Sequence, residues 1–167
     1  ADVTFGGSIA SYENYSDLYA SYDSPEDANK FSKDPDNKWH GFSIFAQPLM
    51  VNTNMVKESD YPTTVSDLLD SKWQDLGGIA LADPNKSGTG HTIVSGLASG
   101  LGWDFTTDLI KVAIATPGST PMFEGVRDGE VAIGWVNEDL GAKWEAEGLP
   151  VKMIYALDAV TVQIDAY

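Results

Sequence analysis

Ser87-Gly-Thr-Gly-His91 is where this sequence first concentrates groups able to hold a ligand. Two hydroxyls and two glycines stand just after an apolar run, Ile79-Ala-Leu-Ala82, and an Asp83-Pro84 turn. The run is short enough for a buried strand, and a residue before proline is pushed out of the helical region, so the chain must turn there. A helical pattern follows. Its first turn leaves amide donors free, with the positive end of the helix dipole behind them. Ser87 can cap that helix, and Gly88 and Gly90 remove two Cβ atoms where a ligand could approach the backbone. Ser87, Gly88, Thr89 and Gly90 therefore read as a site for a phosphate, sulfate or carboxylate. A capped helix with no ligand would use the same residues. Neither of two better-known phosphate loops fits. A Walker A loop ends in Gly-Lys-Ser/Thr, whereas Lys86 precedes the glycines, and the dinucleotide fingerprint wants a third glycine where this chain has Ile93.

Three further junctions have the same character. Ser8 follows Gly6-Gly7 and is placed to cap a helix carrying Ile9, Tyr12, Tyr15, Leu18 and Tyr19 at helical spacing. Ser119 and Thr120 follow Pro117-Gly118, with Ser119 as the expected cap. Asn137, Glu138 and Asp139 lie between a strand expected over 130–136 and a helix over 140–147, where the acids can cap the helix or receive an ammonium group. Other chemistry is sparse. His40 and His91 have no third imidazole near either of them, which argues against a zinc site. There is no Gly-x-Ser-x-Gly elbow and no defensible Ser, His and Asp grouping. Without cysteine, disulfides and thiolate sites are excluded. No metal and no cofactor is expected.

The elements that must position these groups alternate between strand and helix. Strands are expected at 3–5, at two extended segments meeting at Gln47-Pro48, and at 79–82, 130–136, 151–155 and 160–164. Helices are expected over 9–19, over a short capped stretch within 62–69, and over 89–101, 103–115, 120–126 and 140–147. The fold class is α/β, a mainly parallel sheet flanked by helices. Trp73, Trp103 and Trp144 fall on helix faces and read as core, while Trp39 and Trp135 border the loops and are candidates for stacking on a ligand.

Ten Lys+Arg against 25 Asp+Glu leave a net charge of −15, which argues against nucleic-acid binding by phosphate neutralisation. No stretch approaches the ~20 apolar residues that span a bilayer. The opening Ala1-Asp-Val-Thr-Phe-Gly6 reads as starting inside a strand, as a piece of something longer would.

In order and spacing, Ala1-Asp-Val-Thr-Phe-Gly-Gly-Ser8, Trp39-His-Gly41, Met50-Val-Asn-Thr-Asn-Met-Val-Lys57, the 62–73 stretch, Gly78-Ile-Ala-Leu-Ala-Asp-Pro84, Ser87-Gly-Thr-Gly-His-Thr92 and Gly129-Glu-Val-Ala-Ile-Gly134 cover nearly the whole chain. Together they resemble the extracellular (periplasmic) solute-binding proteins of bacterial ABC transporters, in the type II two-lobe branch that includes ferric-iron, phosphonate and sugar-phosphate binders. The resemblance implies two α/β lobes joined by a hinge and closing on a small solute, which is delivered to an ABC permease in the membrane. It implies a non-enzymatic protein outside the cytoplasm, in the periplasm or on the outer face of the membrane, with a lipid anchor upstream as one arrangement. It makes 1–45 a remnant of the first lobe, 46–156 the second lobe and 157–167 the start of a return strand. Ser8 would contribute from the first lobe, and Ser87, Gly88, Thr89, Gly90, Ser119, Thr120, Asn137, Glu138 and Asp139 from the second. Where ferric-iron binders carry adjacent tyrosines, this chain has Asn137-Glu138-Asp139, which argues against phenolate capture of iron; the anionic solute is the expectation from the 87–90 loop. The strand edges at 3–5 and 160–164 would be left open in such a piece and favour dimerisation. The reading from another class is an α/β enzyme that cradles the phosphate of a nucleotide or phosphosugar in 87–90. That reading needs a general base and usually a metal, and the sequence offers no convincing set.

Overall fold

The computed structural model describes residues 2–167; Ala1, which opens the first resembling segment, lies outside them. In chain order the elements are α1 (Ile9–Asn14), β1 (Gly41–Gln47), β2 (Leu49–Asn52), α2 (Lys72–Leu76), β3 (Ile79–Ala82), α3 (Gly88–Leu101) and α4 (Trp103–Val112). There follow β4 (Ile114–Thr116), α5 (Ser119–Arg127), β5 (Ile133–Trp135), α6 (Glu138–Ala146), β6 (Val151–Ile154) and β7 (Thr161–Ala166). The chain divides into a larger unit, Ala46–Val162, and a smaller one, Ala1–Phe45 with Gln163–Tyr167.

The larger unit is α/β, with a five-stranded sheet in the order β4-β3-β5-β2-β6. β3 pairs in parallel with β4, Ala80 opposite Ile114, and with β5, Ile79 opposite Ile133. β2 runs antiparallel to both β5 and β6, so four strands point one way and β2 alone opposes them. Parallel neighbours need crossovers, which α3 with α4 and then α5 supply. The first crossover steps from β3 out to β4 and the second steps back over β3 to β5. Right-handed connections therefore put α3 and α5 on opposite faces of the sheet. Covered on both sides, β3 reads Ile-Ala-Leu-Ala with no polar residue, and none of its four residues is more than 4% exposed.

Asn52, at the end of β2, ties this sheet to α5. Its buried Nδ2 donates to the carbonyls of Val126 (2.8 Å) and Arg127 (3.1 Å), and its Oδ1 accepts from the Asn54 amide. The Arg127 carbonyl, which the helix C-terminus leaves open, is thereby satisfied, and the Val126 carbonyl, which also accepts from the Gly129 amide at 3.2 Å, gains a second donor. In the smaller unit, β1 and β7 form a two-stranded sheet, and the core is Tyr12, Trp39 and Ala166. The Tyr12 hydroxyl lies 2.9 Å from the Gly6 carbonyl and 2.8 Å from that of Ala166, donating to both.

Several sequence expectations are corrected. Residues 3–5 form no strand; backbone pairing with β7 begins only where Gly6 donates to the Ala166 carbonyl. The helix expected over 9–19 ends at Asn14, because Tyr15 leaves helical geometry and Ser16–Leu18 continue as a single 3-10 turn. The helix expected to reach 115 stops at Val112. Ala113 turns extended, and Ile114–Thr116 pairs with β3 as the edge strand β4. The strand expected over 130–136 is confined to Ile133–Trp135. Trp103, at the start of α4, is 66% exposed rather than core, whereas Trp39 and Trp135 are buried and therefore cannot stack on a solute.

Candidate functional site

β3, β4 and β5 point the same way, so the three helices that follow them begin at one edge of the sheet. That edge carries 83–90 between β3 and α3, 117–120 between β4 and α5, and 136–139 between β5 and α6. β6 shares their direction and brings Tyr155 to the same edge, where its hydroxyl donates to Glu138 Oε1 at 2.5 Å. The carboxyl ends of parallel strands are where open α/β sheets bind ligands.

Asp83 shapes the first loop. Its carboxylate accepts from the Asn85 amide (2.9 Å) and pairs with Lys86 Nζ (3.1 Å), and its carbonyl takes the amides of Lys86 and Ser87. The Asn85 amide first, and then Lys86, hold the Asp83 carboxyl below the usual range. Ser87 is extended and its Oγ accepts from the Gly90 amide at 3.1 Å, which caps α3. Among the described residues no acceptor meets the amides of Gly88 or Thr89. Thr89 is 9% exposed, and among the described residues its hydroxyl has no hydrogen-bond partner either. Two amides and a hydroxyl thus remain unengaged at the positive end of a 14-residue helix. Gly88 is exposed at the loop surface. Gly90 is not: a Cβ there would stand 2.4 Å from the Ala82 carbonyl oxygen. Its missing side chain lets α3 close against β3 and leaves no opening for a ligand.

At α5 the N-cap is Gly118 rather than the expected Ser119, and no side chain caps the helix. Ser119 is half-buried and Thr120 exposed, both without side-chain hydrogen bonds, while Thr116 Oγ1 donates to the Gly118 carbonyl at 2.8 Å. At α6, Asn137 is the N-cap residue yet makes no side-chain cap bond, and its enclosed Oδ1 has no partner. Glu138 faces Tyr155 on one oxygen and the Ala46 amide, at 3.5 Å, on the other. The hydrogen bond to Glu138 pushes the Tyr155 phenol up to about 12, with burial adding to it. Asp139 is exposed. Ser8 belongs to the smaller unit, where it is buried at the start of α1 with its Oγ unpartnered.

The structure thus gathers nine of the ten sequence-marked residues along one edge of the larger unit, with Ser8 in the smaller unit. Sequence reasoning missed Thr116 and Tyr155; the latter's only signal was a tyrosine closing an apolar run. The unengaged donors at this edge are amides and hydroxyls, a set that suits oxyanions. Among the described residues no group of three His, Cys, Asp or Glu is placed to hold a metal ion.

A family model described as bacterial extracellular solute-binding protein matches residues 10–165. Among solved structures, the chain is similar to the periplasmic binding protein AfuA from Actinobacillus pleuropneumoniae, with exogenous fructose-6-phosphate bound. The identity is 22% and the TM-score 0.85, over 97% of this chain and 55% of that one. It is also similar to a protein described as a two-component system protein that mediates signal transduction, at 18% identity and TM-score 0.84 over the same shares. Iron-bound HitA from Pseudomonas aeruginosa matches at 19% identity and TM-score 0.71, over 95% of this chain and 54% of that one. The chain spans about 55% of the length of the first two. At such identities the likeness shows the fold alone. No curated protein sequence matches the chain.

Proposed function

From the premise that this chain belongs to the family of bacterial extracellular solute-binding proteins, we propose that it is part of the substrate-binding component of an ABC importer. It captures a small anionic solute, delivers it to a membrane permease, and works outside the cytoplasm without catalysing a reaction. Ala46–Val162 supplies most of the second lobe, and Ala1–Phe45 with Gln163–Tyr167 a part of the first. The observation that carries the reading is the start of α3, where the Gly88 and Thr89 amides and the Thr89 hydroxyl face no protein partner. Ser119, Thr120 and Asn137 extend the polar lining along the same edge, and Glu138 and Asp139 limit how much negative charge that end tolerates. AfuA is described with a sugar phosphate and HitA with iron. The amide and hydroxyl donors here support the former kind of solute, a phosphate ester, because they hydrogen-bond oxyanions directly. No described helix is long and apolar enough to cross a membrane.

The test is calorimetric titration of this chain with fructose 6-phosphate, inorganic phosphate and fructose. The phosphorylated sugar and phosphate bind and fructose does not. Thr89→Val weakens binding by about fivefold to tenfold, the equivalent of one lost hydrogen bond of ~1 kcal/mol. Fructose binding as tightly as its phosphate would overturn the reading.

A further inference from the structure

The smaller unit holds a cavity of about 480 Å³ whose lining comes entirely from its own residues. That volume suits a molecule of one or two rings. Its walls are set by local bonding. The Tyr12 hydroxyl is spent on the Gly6 and Ala166 carbonyls, so what Tyr12 offers a ligand is ring carbon, and Tyr19 packs beside it at 5.2 Å with a tilt of 32°. The Tyr22 amide donates to the Asn37 carbonyl at 2.9 Å, which ties the 19–22 stretch to the turn at 34–37. In that turn the Asp34 carboxylate accepts from the amides of Asp36 (3.0 Å) and Lys38 (3.2 Å). The fixed turn sends Trp39 into the core and leaves Lys38, its neighbour, in the cavity wall.

Most polar groups of the lining already have partners. His40 has Nε2 at 3.0 Å from the Tyr22 carbonyl oxygen and Nδ1 at 2.8 Å from Asp27 Oδ1, so both ring nitrogens are turned to the protein's own oxygens. The Tyr167 ring stacks on His40 at 5.4 Å and has the Lys30 ammonium 4.8 Å from its centroid, while its hydroxyl meets that of Ser24. Lys38 differs. It is half-buried, and among the described residues its ammonium meets no acceptor. The hydroxyls of Tyr19 and Tyr22 are likewise without partners there. Asp2 is the one carboxylate of the lining, and it is exposed.

We propose that this cavity binds a small aromatic carboxylate, its ring packed among Tyr12, Tyr19 and Tyr22 and its carboxylate paired with Lys38. A half-buried ammonium without an acceptor gains most from an anion, through a charge-assisted hydrogen bond. The tyrosine rings add offset or edge-on packing that an aliphatic ligand would not match. A cationic aromatic is disfavoured, because it would meet Lys38. The net charge of −15 opposes an anion only at long range, where salt screens it, whereas Lys38 acts at contact. The site uses no residue of the larger unit and is independent of the oxyanion site at α3.

The experiment is ¹H–¹⁵N spectroscopy of the whole chain titrated with indole-3-acetate, with its neutral analogue indole-3-ethanol, and with cyclohexylacetate, an anion without an aromatic ring. Indole-3-acetate is expected to give saturable shifts of the 19–22 and Lys38 amides by about 10 mM, and each analogue to bind at least about tenfold more weakly. Lys38→Met should bring indole-3-acetate down to the level of the neutral analogue, and Lys38→Arg should keep it. The rest of each spectrum reports whether the fold is intact, and the comparison of the three probes on the unsubstituted chain stands without either variant. No saturable shift at these amides, an analogue that binds as tightly, or full affinity in Lys38→Met would each overturn the proposal. Inorganic phosphate moving the same amides would make Lys38 a general anion contact and would overturn it too.

Discussion

Replacing Gly90 by alanine tests whether its missing side chain serves packing. A Cβ there would meet three atoms of Ala82, at 2.4 Å from the carbonyl oxygen, 2.9 Å from the carbonyl carbon and 3.2 Å from Cβ. Ordinary contact begins near 3.4 Å, so the start of α3 must retreat by roughly 1 Å from β3. The obstacle is backbone in a central strand and cannot rotate away. Overpacking costs about 1–3 kcal/mol, here the upper part of that range, against a helix-propensity gain of up to ~1 kcal/mol for Gly→Ala. The net loss is about 2 kcal/mol. With a urea slope of about 2 kcal/mol/M, the unfolding midpoint falls by about 1 M. Gly88→Ala, at an exposed first-turn position, leaves the midpoint nearly unchanged. A midpoint that holds or rises in Gly90→Ala would refute the assignment of this glycine to helix–strand packing.

Asp158 accepts from the Val65 amide (2.6 Å), the Ser66 amide (3.1 Å) and Ser66 Oγ (2.7 Å). Asp158→Ala costs about 1 kcal/mol by urea unfolding, modest because the carboxylate is solvent-exposed. Burial raises the Asp158 carboxyl but these bonds lower it further, so its folded value is depressed. Its stabilisation is therefore present above the ordinary aspartate value near ~3.9 and lost as pH falls through the depressed one, and Asp158→Ala should flatten that acid limb. In the alkaline range, one tyrosine should ionise near 12 by ultraviolet titration, and Glu138→Gln should bring it down. The Tyr155 contribution is complete below about 10 and lost as pH rises through that value of about 12. Exposed Val160 and Val162 and the open edge at β4 predict self-association, detectable by light scattering and strengthened by salt because the net charge of −15 opposes it. A monomer at every concentration and ionic strength would contradict this.

What could be read in advance depended on how local the signal was. Ile79–Ala82 was legible because an apolar run closed by Asp-Pro has few other readings, and Ser87 because a cap acts within three residues. β4 was not, since three residues hold less than one period of a helix and the preceding pattern runs into them. Gly90 shows the same boundary from the other side. Its sequence announces a missing Cβ, but only the fold reveals that the Ala82 carbonyl fills the gap. The Glu138–Tyr155 and His40–Asp27 pairs join residues 17 and 13 positions apart, and no periodicity links their members. Ser119 looked like a cap because hydroxyls favour that position, yet the extended Gly118 occupies it.

The central claim, that the start of α3 binds an oxyanion, is tested most directly by ¹H–¹⁵N spectra of this chain titrated with inorganic phosphate and with fructose 6-phosphate. The account predicts saturable shifts of the Gly88 and Thr89 amides by about 10 mM ligand, with fructose leaving both in place. Gly88 and Thr89 amides that stay fixed while either phosphate compound binds elsewhere, or fails to bind, would contradict it.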